Sequence, residues 1–159
     1  PVGGSLVLQG DSPSGVSAAL LTLTGRLAPA SGKLKVVGLA LPVRASGVRS
    51  RTGYVDLAGS EDPAAALARA LAERPSILAV DGVDAITDTA VRTRLRDLLA
   101  AMHARPSRAG TPTALLLGTT GDTGDIVPAP GATHRLAEPE AFHGAPAADP
   151  RHAGTQVHA

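Results

Sequence analysis

One glycine-rich loop, one strand-end carboxylate and an acidic residue in the ordinary loop beyond it could carry chemistry in this sequence. The loop, Gly10-Asp-Ser-Pro-Ser-Gly-Val-Ser17, has two glycines five positions apart and a serine two beyond the second. The phosphate-binding pattern is Gly, four residues, Gly, Lys, then Ser or Thr. Gly10, Gly15 and Ser17 match it, and Val16 stands where Lys belongs. Such glycines let main-chain N–H groups converge on phosphate oxygens, and the helix that follows adds its positive end. A Gly/Ser turn opening a helix reads the same way. Asp81 and Asp84 form a possible carboxylate pair or metal site, and Asp122 and Asp125 lie in a later Gly/Thr loop. The five histidines are scattered and show no helical ligand pair. Neither Ser14 nor Ser17 sits in a Gly-x-Ser-x-Gly elbow, which argues against a hydrolase nucleophile.

The surrounding elements must bring these groups together. Ser5-Leu-Val-Leu-Gln9, Ile77-Leu-Ala-Val80 and Thr113-Ala-Leu-Leu-Leu117 are continuous apolar runs and read as buried strands. Lys33–Val37 and Gly53–Val55 read as shorter strands. Helices are predicted over Val16–Leu27, over Ala64–Glu73 with Asp62 as N-cap and Pro63 at the first turn, and over Asp88–Ala104. In the last of these, Val91, Leu95, Leu98, Leu99 and Met102 mark one apolar face, while Arg92 and Arg96 are expected on a solvated one. Residues 40–52 are poorly patterned, and periodicity fades beyond Thr120. Alternating strands and helices predict an α/β fold, a mostly parallel sheet with helices on both faces. Its ligands belong beyond the carboxyl ends of the strands, hence at the loops after Leu8, Val80 and Leu117.

Composition narrows the functions. Fifteen basic residues face 14 acidic ones, for a net charge of +1, and only Lys33 and Lys35 are lysines. Neither a basic excess nor aromatic stacking platforms are present, which argues against nucleic-acid binding. The absence of cysteine excludes disulfides and thiolate chemistry. No apolar run approaches the roughly 20 residues of a membrane span, so the chain is expected to be soluble and cytoplasmic. Residues 1–137 are expected to form one domain and residues 138–159 a flexible tail.

The order of these motifs resembles the ATP-binding cassette ATPases, the motor subunits of ABC transporters. From Ser5 to Gly38 the strand, loop and helix lead to Gly25, Pro29, Gly32 and Gly38 at that family's spacing. Arg51-Thr-Gly-Tyr-Val55 is similar to the strand before the Q-loop, and Leu57-Ala-Gly-Ser-Glu61 to the signature that precedes the helix Ala66-Leu-Ala-Arg-Ala-Leu71. Ile77–Asp81 resembles the Walker B strand, Ala85-Ile-Thr-Asp88 the D-loop, and Leu115–Thr120 the strand reaching the switch histidine. The resemblance spans about residues 3–127. It implies a P-loop NTPase-like domain that binds ATP and Mg²⁺. Gly10, Ser12, Ser14, Gly15, Val16, Ser17 and Ala18 would contact the nucleotide, and Ser17 and Asp81 would hold the metal. It also implies a membrane permease subunit as partner and a homo- or heterodimer.

The departures bear on activity. Val16 replaces the lysine, Gly82 the catalytic glutamate, and Thr120 (or Gly121) the switch histidine; Asp56 or Leu57 replaces the Q-loop glutamine. Pro13 removes an N–H donor, Asp11 adds negative charge, and the helical subdomain before the signature is almost absent. Phosphoryl transfer depends on positioning and charge stabilisation, so weak binding of ATP and Mg²⁺ and little or no hydrolysis are expected. The alternative is an inactive pseudo-ATPase that serves as an interaction or regulatory module for a membrane partner. Arg26, Lys33 and Lys35 are the cations nearest in sequence that could substitute at the phosphates.

Overall fold

The computed structural model describes residues 4–11, 13–102, 105–121, 123, 126 and 132–136, without the side chains of Pro13 and Ser14. Its strands are β1 (Ser5–Gln9), β2 (Leu34–Val36), β3 (Leu39–Leu41), β4 (Thr52–Asp56), β5 (Ile77–Asp81), β6 (Ala114–Thr119) and β7 (Ala132–Arg135). Its α-helices are α1 (Pro13–Leu23), α2 (Ala45–Arg49), α3 (Pro63–Ala72) and α4 (Thr89–Met102).

Five strands form one sheet in the order β4-β5-β6-β1-β7. Every ladder in it is parallel, with Val7 opposite Leu117, Ile77 opposite Ala114 and Thr52 opposite Ile77. The three apolar runs are therefore neighbours, as expected, with β6 between β5 and β1. Alternation along the strands splits the core. Val7, Val55, Leu78, Val80, Leu115 and Leu117 meet α3 and α4 on one face. Leu8 and Ala79 meet Val16 and Leu20 of α1 on the other. Burying a leucine as fully as Leu20, Leu78 or Leu117 stabilises by about 1.5–3 kcal/mol.

Local signals explain the helix limits. Asp62 Oδ1 accepts from Ala65 N at 2.9 Å and Pro63 opens α3. Asp88 Oδ1 accepts from Val91 N at 2.9 Å in the same way at α4. α1 begins at Pro13, earlier than its apolar pattern, because proline suits a first turn that needs no donor. It ends at Leu23 rather than Leu27, where the Thr24 hydroxyl turns back to Leu20 O at 2.8 Å.

Three segments depart from the sequence reading. β2 pairs antiparallel with β3 outside the main sheet, over its own cluster of Val36, Leu41 and Val48. The unpatterned stretch 40–52 holds α2, a helix too short to show a period. Beyond Thr120, β7 pairs parallel with β1 although all four of its residues are exposed, so no apolar pattern marks it. Ser12, Asp122, Asp125, four of the histidines and residues 138–159 lie outside the described residues.

Candidate functional site

Because the sheet is parallel, the loops after β1, β4, β5 and β6 leave at the same end. They enclose a cleft of about 210 Å³ lined by Val16, Ala58, Asp81, Asp84, Thr119 and Thr120. Gly82 lines it as well. The elements therefore bring together the phosphate-loop helix, the Walker B-like aspartate and the two positions where the glutamate and histidine would stand.

Asp81 ends β5 and is only 7% exposed. One carboxylate oxygen accepts from the Tyr54 hydroxyl at 2.9 Å, and the other from Gly82 N at 3.0 Å. Burial and this donation to a carboxylate push the Tyr54 hydroxyl pKa well above its ordinary range. The sequence reading gave Tyr54 no role; its lone aromatic ring at a strand centre was the available signal. Asp84, read as an ordinary loop residue, is a tie between strands. Its Oδ2 accepts from Thr120 N at 3.1 Å and from the Thr120 hydroxyl at 2.7 Å. Desolvation pushes the Asp84 pKa up, but these hydrogen bonds outweigh it and hold the carboxyl below its ordinary value.

Val16 is 1% exposed. A Cβ on Gly10 would lie 2.9 Å from one of its methyls, and a Cβ on Gly118 2.7 Å from the other. The valine thus fills the gap between the ends of β1 and β6, with its tip at the cleft. Gly82 has φ +68°, and a Cβ there would lie 2.8 Å from Ala58 Cβ and 3.1 Å from Ala58 N. A glutamate at this position is opposed both by its backbone and by a neighbour that has no flexible end to move.

The substitute cations are placed elsewhere. Arg26 donates to Thr52 O and Thr52 Oγ1, both at 3.3 Å, which anchors it to β4. Lys33 and Lys35 are exposed around the small β2–β3 sheet. Asp11 is not an uncompensated negative charge, since Arg135 of β7 lies 3.5 Å from it. Both partners are exposed, so the pair is screened and weak. Arg92, expected in solvent, instead donates to Ile86 O at 2.9 Å and Thr123 O at 3.2 Å, tying α4 to the loops around the cleft. The main-chain N–H of Gly10 is committed to Thr119 O at 3.2 Å.

The donor set meets two tests differently. The Ser17 hydroxyl and the Asp81 carboxylate are hard oxygen donors of the kind a Mg²⁺ ion takes. Among the described residues, however, no group of three or more acidic, histidine or cysteine side chains forms a metal cluster. Val16, Gly82 and Thr120 themselves carry no cation, carboxylate or imidazole.

No family model matches the chain, and no curated protein matches it by sequence. Solved structures do. CbiO1 from Clostridium perfringens, part of the ABC transporter complex CbiONQ, superposes with a TM-score of 0.55 at 15% identity, covering 75% of this chain and 68% of that one. The fold is that of an ABC transporter ATPase domain. A bacterial Atm1-family ABC exporter with ATP bound superposes with a TM-score of 0.50 at 18% identity, covering 86% of this chain and 34% of the exporter. The chain thus spans about a third of the exporter's length. No helix among its described residues is long and apolar enough to cross a membrane.

Proposed function

We propose that residues 1–137 form a shortened nucleotide-binding domain of an ABC transporter-type system, one that holds Mg-ATP weakly and hydrolyses little or none. Gly82 carries this reading. It occupies the catalytic-glutamate position in a left-handed conformation against Ala58, where a glutamate does not fit. Gly10, Ser12, Ser14, Gly15, Val16, Ser17 and Ala18 would line the phosphates, and Ser17 and Asp81 would hold Mg²⁺, whose charge would offset that of the phosphates. The proposed partners are a membrane permease subunit and a second nucleotide-binding chain, identical or different. That would place the domain at the cytoplasmic face of a membrane, with residues 138–159 as a tail.

A second reading is an inactive pseudo-ATPase acting as an interaction or regulatory module. The Tyr54 hydroxyl bound to Asp81 favours it, because a cation must compete with that bond. A calorimetric Mg-ATP titration of the natural chain and of Val16→Lys separates the two. Val16 lines the cleft, so the lysine is introduced at its wall. A charge-assisted hydrogen bond is worth about 1.5–3 kcal/mol, so at least a tenfold gain over weak natural binding, about 1.4 kcal/mol, is expected. Tight natural binding unaffected by Val16→Lys contradicts the reading of the loop. Binding by neither protein supports the pseudo-ATPase.

A further inference from the structure

A second cleft, of about 360 Å³, lies at the edge of the sheet; its wall includes Arg26, Arg49, Thr52, Tyr54 and Arg108, and one acid, Glu73, which pairs with Arg108. It sits near the exit of α1, whereas the phosphate loop sits at that helix's entrance. Eleven residues of helix, about 16 Å at 1.5 Å per residue, separate the two. Arg26 donates to Thr24 O at 3.2 Å and to the Thr52 carbonyl and hydroxyl, and Arg49 donates to Gly25 O at 3.0 Å. All of these acceptors are neutral. Among the described residues neither guanidinium is paired with a carboxylate, whereas Arg108 meets Glu73 at 3.2 Å. Desolvation, and next the charge of Arg49, lower the Arg26 pKa, as expected for two cations held close without a counter-charge.

The backbone adds a donor. β4 is an edge strand. Arg51 O accepts from Ser76 N at 2.7 Å and Leu57 N donates to Asp81 O at 3.0 Å, so the main-chain groups of alternate residues from 51 to 57 face β5. Those of Thr52, Tyr54 and Asp56 therefore face the open edge, and there Arg26 reaches Thr52 O.

We propose that this cleft binds a small phosphate ester, with Arg26 and Arg49 as its charged donors, the Tyr54 N–H beside them and the Arg108–Glu73 pair at its wall. The charge matches, since a phosphomonoester carries about −1.5 to −2 at pH 7, Arg26 and Arg49 have no carboxylate partner among the described residues, and the wall's Glu73 is taken by Arg108. Guanidinium forks suit phosphate oxygens bidentately. Arg26 is already fixed by three hydrogen bonds, which reduces the ordering cost of binding. The volume falls within the usual range of about 300–1,000 Å³ for small-ligand pockets.

The test is a titration of the whole 159-residue chain with inorganic phosphate at low ionic strength, read by amide NMR. Saturable shifts at Thr52, Gly53 and Tyr54 are expected, weakened at least tenfold by Arg49→Gln and unchanged by Arg94→Gln, an exposed arginine of α4. Arg49→Gln is the main variant because Arg26 also anchors the α1 exit to β4. Shifts confined to Gly15–Ala18, a response that never saturates, or one indifferent to Arg49→Gln overturns the proposal. Displacement of phosphate by glycerol phosphate supports the site and assigns it a soluble ester. Sedimentation with phosphatidic acid vesicles but not with phosphatidylcholine vesicles, lost in Arg49→Gln, supports it with the same group on a lipid headgroup.

Discussion

Gly82 and Tyr54 decide what the strand-end aspartate can do. Restoring a glutamate at Gly82 forces a side chain into φ +68° with its Cβ 2.8 Å from Ala58 Cβ. A non-glycine residue in the left-handed region costs about 1–2 kcal/mol, and the contact adds to it. Gly82→Glu is therefore expected to lose about 2 kcal/mol or more of stability in urea denaturation and to gain no ATPase activity. A stable Gly82→Glu that hydrolyses ATP would mean that the cleft remodels readily. Tyr54→Phe has a different outcome. It removes the hydroxyl that occupies one oxygen of Asp81, leaving a buried carboxylate with only the Gly82 N–H. Stability is expected to fall by about 1–3 kcal/mol, while Mg²⁺ affinity by calorimetry rises, because the metal no longer displaces an internal donor. Equal or weaker Mg²⁺ binding in Tyr54→Phe would place the cation away from Asp81.

Between elements, the site depends on ties that cross from one strand end to the next. Asp84 follows β5, and its carboxylate accepts two hydrogen bonds from Thr120, just after β6. Its folded pKa lies below the ordinary carboxylate value. A depressed carboxylate stabilises the fold above its unfolded pKa, and that contribution is lost as pH falls through the folded pKa. Asp84 thus stabilises the protein fully near neutrality and loses its contribution only below about pH 4. Thr120→Ala, which removes the hydroxyl donor, is expected to raise the Asp84 pKa in a carbon-detected NMR titration. An unchanged titration would show that the main-chain N–H alone sets it. These ties also mark what could be read from the sequence. The Val91–Met102 stripe was legible because burial on one face writes a period into a helix, the three apolar runs because burial on both faces makes a strand continuous, and the Asp62-Pro63 start because it caps the helix. β7 was not, because an edge strand with four exposed residues leaves no such record. The Asp84–Thr120 tie and the inward turn of Arg92 were hidden for another reason. Each joins residues about 30 or more positions apart, through contacts that only the folded sheet creates.

At the scale of the whole molecule, the parallel sheet and its converging loops match the fold of an ABC transporter ATPase domain. The position of the cleft was legible because strand ends in a parallel sheet define it. The closure of the site around Val16 was not, because packing between Gly10 and Gly118 depends on two distant strand ends meeting. Ligand linkage turns this into a measurement on the intact chain. A ligand that binds only the folded state stabilises it by RT ln(1 + [L]/Kd), about 0.4 kcal/mol when its concentration equals Kd and about 2.7 kcal/mol at a hundred times Kd. For a chain of this size 1 kcal/mol moves Tm by about 2–4 °C. With Kd on the order of 1 mM, equal to a millimolar dose of Mg-ATP, the expected rise is therefore only about 1 °C, and phosphate release should remain at the no-enzyme background. A rise of about 5–10 °C at the same dose would reveal tight binding and overturn the reading of the cleft as a weak site. A small rise together with turnover on the order of 1 s⁻¹ would instead place the missing charge and base on side chains outside Val16, Gly82 and Thr120.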